Sequence, residues 1–489
     1  MFDHIWPALV VLLVLVLSGY GWLACIRPRA LAGPERLGIA FACGAAWLGL
    51  LTAVLGPFEL FRPVVILPLL LAPLAGFLLR AGADSESNQP KASRVREWMG
   101  FLPVIPLVAL SFWFAVQRPV WSIDAQRRWV LHAQWMADEY TPVPERMANQ
   151  EWASTHPSYP PLIPAICALS LQLGADRDEG IRVLFPTFFF ALLCVIYGYA
   201  RRRAPPLVAT GLTLVLATAP CFSVLDAQKG SYGLGADSAL ADIPLALFLT
   251  ALAAYVLEGI AAVGRDARAR WSLATLLGAG AILTKNEGLV YAPSIIAATL
   301  LFAFVVRRES MLGRSRNSLV SLLGVLVTTA LLWKWVARNM AVRVGENYLS
   351  AGILEELASG AERAGDIANR MFEELVDPGL WGVLWAWPLF WCAWFALKLP
   401  KLNVEQRIRR ALPFLWLAAG LLMVFGAYLA TGWKQGSWSK LMDVSLARLL
   451  IHHAPLALIL ACDLFSPDTE ASEAEVSDPT YSEPSAESA

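Results

Sequence analysis

Apolar runs long enough to cross a lipid bilayer recur along almost the whole chain, and no other feature of the sequence restricts its fold as severely. A helix of roughly 20 apolar residues spans the hydrocarbon core while satisfying its own backbone hydrogen bonds. By that measure spans are expected at 5–26, 37–56, 63–80, 99–117, 183–200, 207–222, 240–263, 271–284, 289–306, 319–341, 378–397, 411–430 and 449–465. The expected fold is all-α: a polytopic transmembrane bundle of about 13 spanning helices, with further helices beside the membrane. Composition agrees, since 57% of the 489 residues are hydrophobic and only 16% charged. The mean hydropathy of +0.54 lies outside the range of a soluble globular domain.

Lysine plus arginine balances aspartate plus glutamate at 39 each. No basic domain is present that could follow a phosphate backbone, so no nucleic-acid partner is expected. The seven cysteines stand singly in or beside apolar stretches, without the spacing of a metal site or a disulfide framework. Neither a metal nor another cofactor is predicted. The first apolar run has no basic segment before it and is followed by Arg27 and Arg29, the pattern of an anchoring helix rather than a cleaved signal peptide.

Six connections are rich in Lys and Arg: "RPRALAGPER", "RAGADSESNQPKASRVR", "RRRAPP", "GRDARAR", "RRESMLGRSR" and "KLPKLNVEQRIRR". The positive-inside rule assigns them to the cytoplasm. The connections at 118–182, 223–239, around "TKNEG", at 342–377 and at 431–448 then face outward, and they hold most of the suggestive polar residues. "YPPLIPAICALSLQL", within 159–173, is expected to be a short re-entrant or interfacial helix, because a further span there would put "RRRAPP" outside. Within 342–377 apolar residues recur at helical spacing, which predicts an amphipathic helix lying on the bilayer. The chain divides into added N-terminal helices and a cytoplasmic loop (1–98), a membrane core (99–465) and an acidic tail without a basic residue (466–489), expected to be disordered.

Six outer stretches carry candidate chemistry. "WSIDAQRRW" places Asp124 beside Arg127 and Arg128 just after a span. Asp124 reads either as a hydrated helix end or as a functional carboxylate, and a neighbouring guanidinium can hold a carboxylate ionised or grip a phosphate. "STHPSYPPLIP" combines His156 and Tyr159 with four prolines; the prolines stiffen a loop, and His156 serves either as a loop hydrogen-bonder or as a group that orients a hydroxyl or a phosphate.

In "ADSALADIPLALF", Asp237 and Asp242 are five residues apart, about 140° on a helix, too far round to share a metal. Asp242 ahead of Pro244 also fits a helix cap. "LTKNEGL" sets Lys285 and Glu287 on a short turn, either as a polar hairpin with a snorkelling lysine or as an ammonium facing a phosphate. Lys334, Arg338 and Arg448 are cations near the outer ends of spans, where charge is costly and marks function. His452 and His453 follow Arg448, and adjacent residues cannot face the same way on a helix. No P-loop, dinucleotide fingerprint, zinc-binding histidine pair or nucleophile elbow is present.

Taken in order, "SIDAQRRW", "HPSYPPLIP", "ADIPLALF", "LTKNEGL" and "LARLLIHHAPL" resemble the GT-C superfamily of polytopic glycosyltransferases. The likeness is to its dolichyl-phosphate-mannose-type, aminoarabinose-transferase-like and lipopolysaccharide-core-transferase-like members, and it covers roughly residues 99–465. It implies an enzyme of the cell envelope, in a bacterial inner membrane, that moves a sugar from a polyprenyl-phosphate-linked donor to an extracytoplasmic acceptor, with membrane lipids as its surroundings. By the same resemblance Asp124 is the catalytic residue; Lys285, Arg448, Arg127 and Lys334 are phosphate-binding candidates; His156, Tyr159, Asp242 and Glu287 would shape the sugar or acceptor site. In related loops an aromatic often precedes the first acidic residue, whereas Ile123 stands there in this chain. Two other classes compete. A transporter or flippase would show related halves or mid-span charges, and neither is evident; a non-catalytic subunit of an envelope-polysaccharide complex would keep the fold without the chemistry.

Overall fold

The computed structural model describes residues 2–28, 31–80, 97–120, 122, 124–148, 158–175, 179–223, 235–305, 311–338, 358, 360–430 and 437–465. The regular elements among them are helices. Nine are long and apolar enough to cross a membrane: Ile5–Ile26, Gly33–Phe58, Glu97–Gln117, Gly180–Arg201, Asp242–Ala261, Asn286–Phe304, Arg316–Arg338, Gln406–Ala430 and Trp438–Leu464. The chain is thus a multi-spanning α-helical membrane protein, with nine such helices among the described residues rather than the expected 13.

The four remaining expected spans are not among the nine. The helix that begins at Pro63 runs on through Pro68 and Pro73, and its apolar stretch Pro63–Gly76 is shorter than the nine. Pro206–Thr218 has only 13 residues, about 20 Å at 1.5 Å per residue against a hydrocarbon core of about 30 Å. The 378–397 segment breaks at Gly382 into Pro378–Trp381 and Ala386–Lys398, and Gly382 has a positive φ of 56°. Gly264–Thr284 is long enough, but its first turns carry "RDARAR".

Leu162–Gln172, expected as a re-entrant or interfacial helix, has 11 residues and is buried from Leu162 to Ser170, so it is both too short to span and enclosed by protein. Ala364–Leu375 is amphipathic, with Ile367 and Met371 buried and Phe372 exposed. Arg370 ties it to the Ser437–Ile451 helix through Asp443 (2.5 Å). The rest of the expected 342–377 helix up to residue 357, the 81–96 loop and the tail 466–489 lie outside the described residues.

Close helix contact depends on small residues, because lipid tails supply no hydrophobic drive between spans. A Cβ on Gly19 would collide with the Ala40 carbonyl, and one on Gly44 with the Leu15 carbonyl, so the first two helices touch backbone to backbone. The Gly33–Leu55 helix is itself buried along most of its length. Gly38 packs on Ala191 and Cys194, and Gly280 opposes Ala46 and Phe248.

A charge cluster locks this helix to the core at one end of the bundle. Arg202 donates to Glu35 and, through Nε, to Glu258 Oε1 (2.8 Å). Tyr255 OH donates to Glu35 Oε1 (2.9 Å), and Arg270 pairs with Glu258 Oε2 (2.7 Å). Arg203 adds a longer pair to Glu258 (3.4 Å). Its arginines come from "RRRAPP" and "GRDARAR", the loops expected on the cytoplasmic side. Removing one partner of buried ion pairs leaves an uncompensated charge. Arg202→Met should therefore cost about 3–5 kcal/mol of stability, seen as a lower thermal midpoint in detergent; an unchanged midpoint would mean that Glu35 and Glu258 are held by other means.

Candidate active site

Asp242 opens the Asp242–Ala261 helix and is almost fully buried. The N-cap position is Ala241 rather than Asp242; both Asp242 oxygens go to cationic or imidazole groups from elsewhere in the chain. Oδ1 accepts from Lys285 Nζ at 2.8 Å and lies 2.9 Å from His452 Nε2. Oδ2 accepts from Arg448 Nε at 3.1 Å. The capping alternative therefore gives way to a buried ionic centre at the end of the helix opposite Glu258, about 24 Å away along its axis.

Each partner is positioned by a local break in helical structure. Lys285 is the one extended residue between the Gly264–Thr284 and Asn286–Val305 helices. The reversal is tight because Gly288 backs onto the Ala281 carbonyl, where a Cβ would not fit. Lys285 Nζ consequently points inward, bonded also to Glu287 Oε1 at 2.8 Å, and does not snorkel to the surface. The helix ending at Ile451 breaks before Ala454, so the adjacent histidines diverge. His452 faces Asp242, while His453 packs edge-on to Tyr291 with centroids 4.5 Å apart and against Gly420.

Arg448 links Asp242 to Asp124: its Nη1 donates to Asp124 Oδ2. Asp124 starts a π-helical turn, Ala125–Val130, a geometry that recurs at functional sites. The residue four positions on lies on the same helical face as Asp124. That residue is Arg128, whose Nε lies 3.6 Å from Asp124 Oδ1. Arg127, named from the sequence as a phosphate-binding candidate, is exposed.

Arg128 Nη1 donates to the Tyr159 hydroxyl at 3.4 Å, and its guanidinium sits 5.4 Å from the ring centroid. Tyr159 is buried, edge-on to Trp129 at 5.4 Å. Its loop is fastened by Trp333 Nε1 donating to the Ser158 carbonyl at 3.1 Å.

The structure thus gathers Asp124, Asp242, Lys285, Glu287, Arg448 and, through Arg128, Tyr159 into one network. Lys334, next to the inward Trp333, is exposed and makes no ion pair among the described residues. His156 lies outside the described residues. Asp237 belongs elsewhere, paired with Arg118 at 3.2 Å; burial lifts its carboxyl above the ordinary range against the pull of Arg118. Arg128 and His452 are the network members absent from the expected set. The i,i+4 spacing from Asp124 is a signal for the first; for the second the nearest signal is Pro455, which stops the helix just beyond it.

Three carboxylates (Asp124, Asp242, Glu287) face three cations (Lys285, Arg448, Arg128), so with His452 neutral the network carries no net charge. It is graded in access. The His452 side chain is 0% exposed and that of Asp242 2%, against 12% for Asp124 and 17% for Arg128. Burial alone would raise the Asp124 carboxyl; the Arg448 and Arg128 guanidiniums, the Arg448 hydrogen bond and Lys285 outweigh it and hold the group below the usual carboxylate range. The accessible edge of the network is therefore an ionised carboxylate backed by guanidiniums. Among the described residues no group of three or more His, Cys, Asp or Glu is placed to hold a metal ion.

Asp242→Asn removes the charge on which Lys285, His452 and Arg448 converge. We expect a loss of about 3–5 kcal/mol, read as a fall in thermal midpoint in detergent; a midpoint equal to wild type would mean that the network does not hold these helices together.

Neither a curated protein nor a solved structure matches the chain. Residues 156–335 match the family model described as dolichyl-phosphate-mannose-protein mannosyltransferase. That stretch contributes Tyr159, Asp242, Lys285 and Glu287 to the network, while Asp124, Arg128, Arg448 and His452 lie outside it. Over this part of its length the chain carries a domain match consistent with a polytopic glycosyltransferase of the GT-C superfamily.

Proposed function

We propose that the protein transfers a sugar from a polyprenyl-phosphate-linked donor to an extracytoplasmic acceptor, as a step in cell-envelope glycan or glycolipid synthesis. The observation that carries this reading is the single network joining Asp124 through Arg448 and Asp242 to Lys285, at the end of the bundle away from the arginine-rich loops. A prenyl chain stays in the membrane while its phosphate meets the buried cations, and the sugar reaches Asp124.

The reaction is an inverting displacement. Asp124 accepts the proton of the acceptor hydroxyl as its oxygen bonds to the anomeric carbon. The bond from that carbon to the phosphate oxygen breaks, and its electron pair leaves on the lipid phosphate. Because the leaving group departs as an anion, it calls for cations rather than for an acid; Lys285 and Arg448 supply them in a site shielded from bulk water. Asp242 keeps these cations oriented, and Tyr159 and Glu287 border the sugar or acceptor, with His156 assigned to the same border. Arg127 and Lys334, both exposed, belong to the approach of the lipid phosphate rather than to its seat.

Purified protein given a polyprenyl-phosphate sugar and envelope-lipid acceptors should release polyprenyl phosphate and form a glycosylated product. Asp124→Asn should lower that turnover by about 10²–10⁴-fold, the range for removal of a general base. Equal turnover in the two proteins would remove Asp124 from the catalytic position.

A further inference from the structure

The network is electrically balanced before any substrate arrives, and this has a chemical consequence. A donor phosphodiester carries one negative charge, and Arg448 already serves two carboxylates, Asp124 through Nη1 and Asp242 through Nε. Buried charge without a partner is costly, so a phosphate that settles on Arg448 must take the place of one carboxylate. The two are not equivalent. Asp242 is sealed and also held by Lys285 and His452, whereas Asp124 stands at the accessible edge and has a second cation of its own in Arg128.

We propose that the donor phosphate displaces Asp124 from Arg448, and that Arg128, braced on Tyr159, then keeps Asp124 in position as the base. The proposal rests on the transferase reading and gives that site an order of events. Paired with Arg448, Asp124 is ionised but a weak proton acceptor; the groups that face it are Arg128 on its own turn, Arg448 on the Ser437–Ile451 helix and, at longer range, Lys285 between two other helices. Once Arg448 turns to phosphate, one of the cations depressing its basicity is neutralised. The base is thereby switched on only when a donor is present. Arg128 is a positioning residue in this scheme: it touches neither the reacting carbon nor the phosphate, and acts through Asp124.

The test uses full-length protein in detergent and a polyprenyl methyl phosphate diester, which keeps a single charge and has no sugar to transfer. If Asp124 and phosphate compete for Arg448, Asp124→Asn should bind this diester at least about fivefold more tightly than wild type, the lower end of ordinary coupling between sites. In an Arg448→Gln background the same substitution should bring no gain. Asp237→Asn, which removes a carboxylate outside the network, should leave binding unchanged.

Arg128→Gln, which leaves a displaced Asp124 without a second cation, should bind the diester more weakly than wild type and lose turnover in the sugar-transfer assay, with partial recovery of both in Arg128→Lys. A gain that persists without Arg448 would show a general field effect and overturn the handover; so would equal affinity of wild type and Asp124→Asn. Failure of every variant and of wild type to bind the diester would defeat the donor reading itself, and the handover with it.

Discussion

Asp242 is a carboxylate sealed inside an apolar bundle, and a charge in that position is tolerated only if other groups come to it. Three do, from two regions of the chain: Lys285 from a break between helices, and Arg448 with His452 from the helix near the end of the described chain. Through Arg448 the same centre captures Asp124, more than 300 residues away in sequence. The placement of four helices at that end of the molecule depends on meeting the demand of one side chain. Exchanging the group for an apolar one of similar shape could leave the packing intact, so the charge is not required by packing alone.

The helix that begins with Asp242 carries Glu258 near its other end, and both ends are ionic. Between them lie only apolar and small residues, apart from Thr250 and Tyr255. The two clusters differ in composition. At the Glu258 end three carboxylates, Glu35, Glu258 and Asp266, meet three arginines and a tyrosine, and the result ties the second helix of the chain into the core. At the Asp242 end the charges balance and open toward Asp124.

Much of the fold was legible because lipid imposes a simple length rule. Nine of the thirteen apolar runs are long, apolar helices, and the proline-led segment from Leu162 is the short buried helix that topology requires. The rule fails where length and hydropathy mislead: Gly382 breaks one run, arginines occupy the start of another, and a third forms a helix of only 13 residues. At the site, Asp124, Asp242, Lys285 and Arg448 stood out because charge at the end of an apolar run is costly. Arg127 and Arg128 stand three and four positions after Asp124, both within reach of it on a helix, and only the assembled structure shows that Arg128 is the one that pairs. Lys334 carried the same signal as Lys285 but lies on an exposed helix face; sequence spacing does not tell which way a lone lysine turns.

By itself the sequence determined that the chain spans a membrane many times as helices, and which polar residues have to be explained, because both follow from the cost of placing polar groups in hydrocarbon. Only the tertiary structure decided which of those residues meet. Asp242 serves as an ionic centre and not as a helix cap, and Asp237 takes Arg118 rather than a place beside it. Arg448 is divided between Asp124 and Asp242. Those pairings are set by long-range packing of helices whose apolar faces are nearly interchangeable in sequence, so the partner of a buried charge is a property of the assembled bundle and not of the segment that carries it.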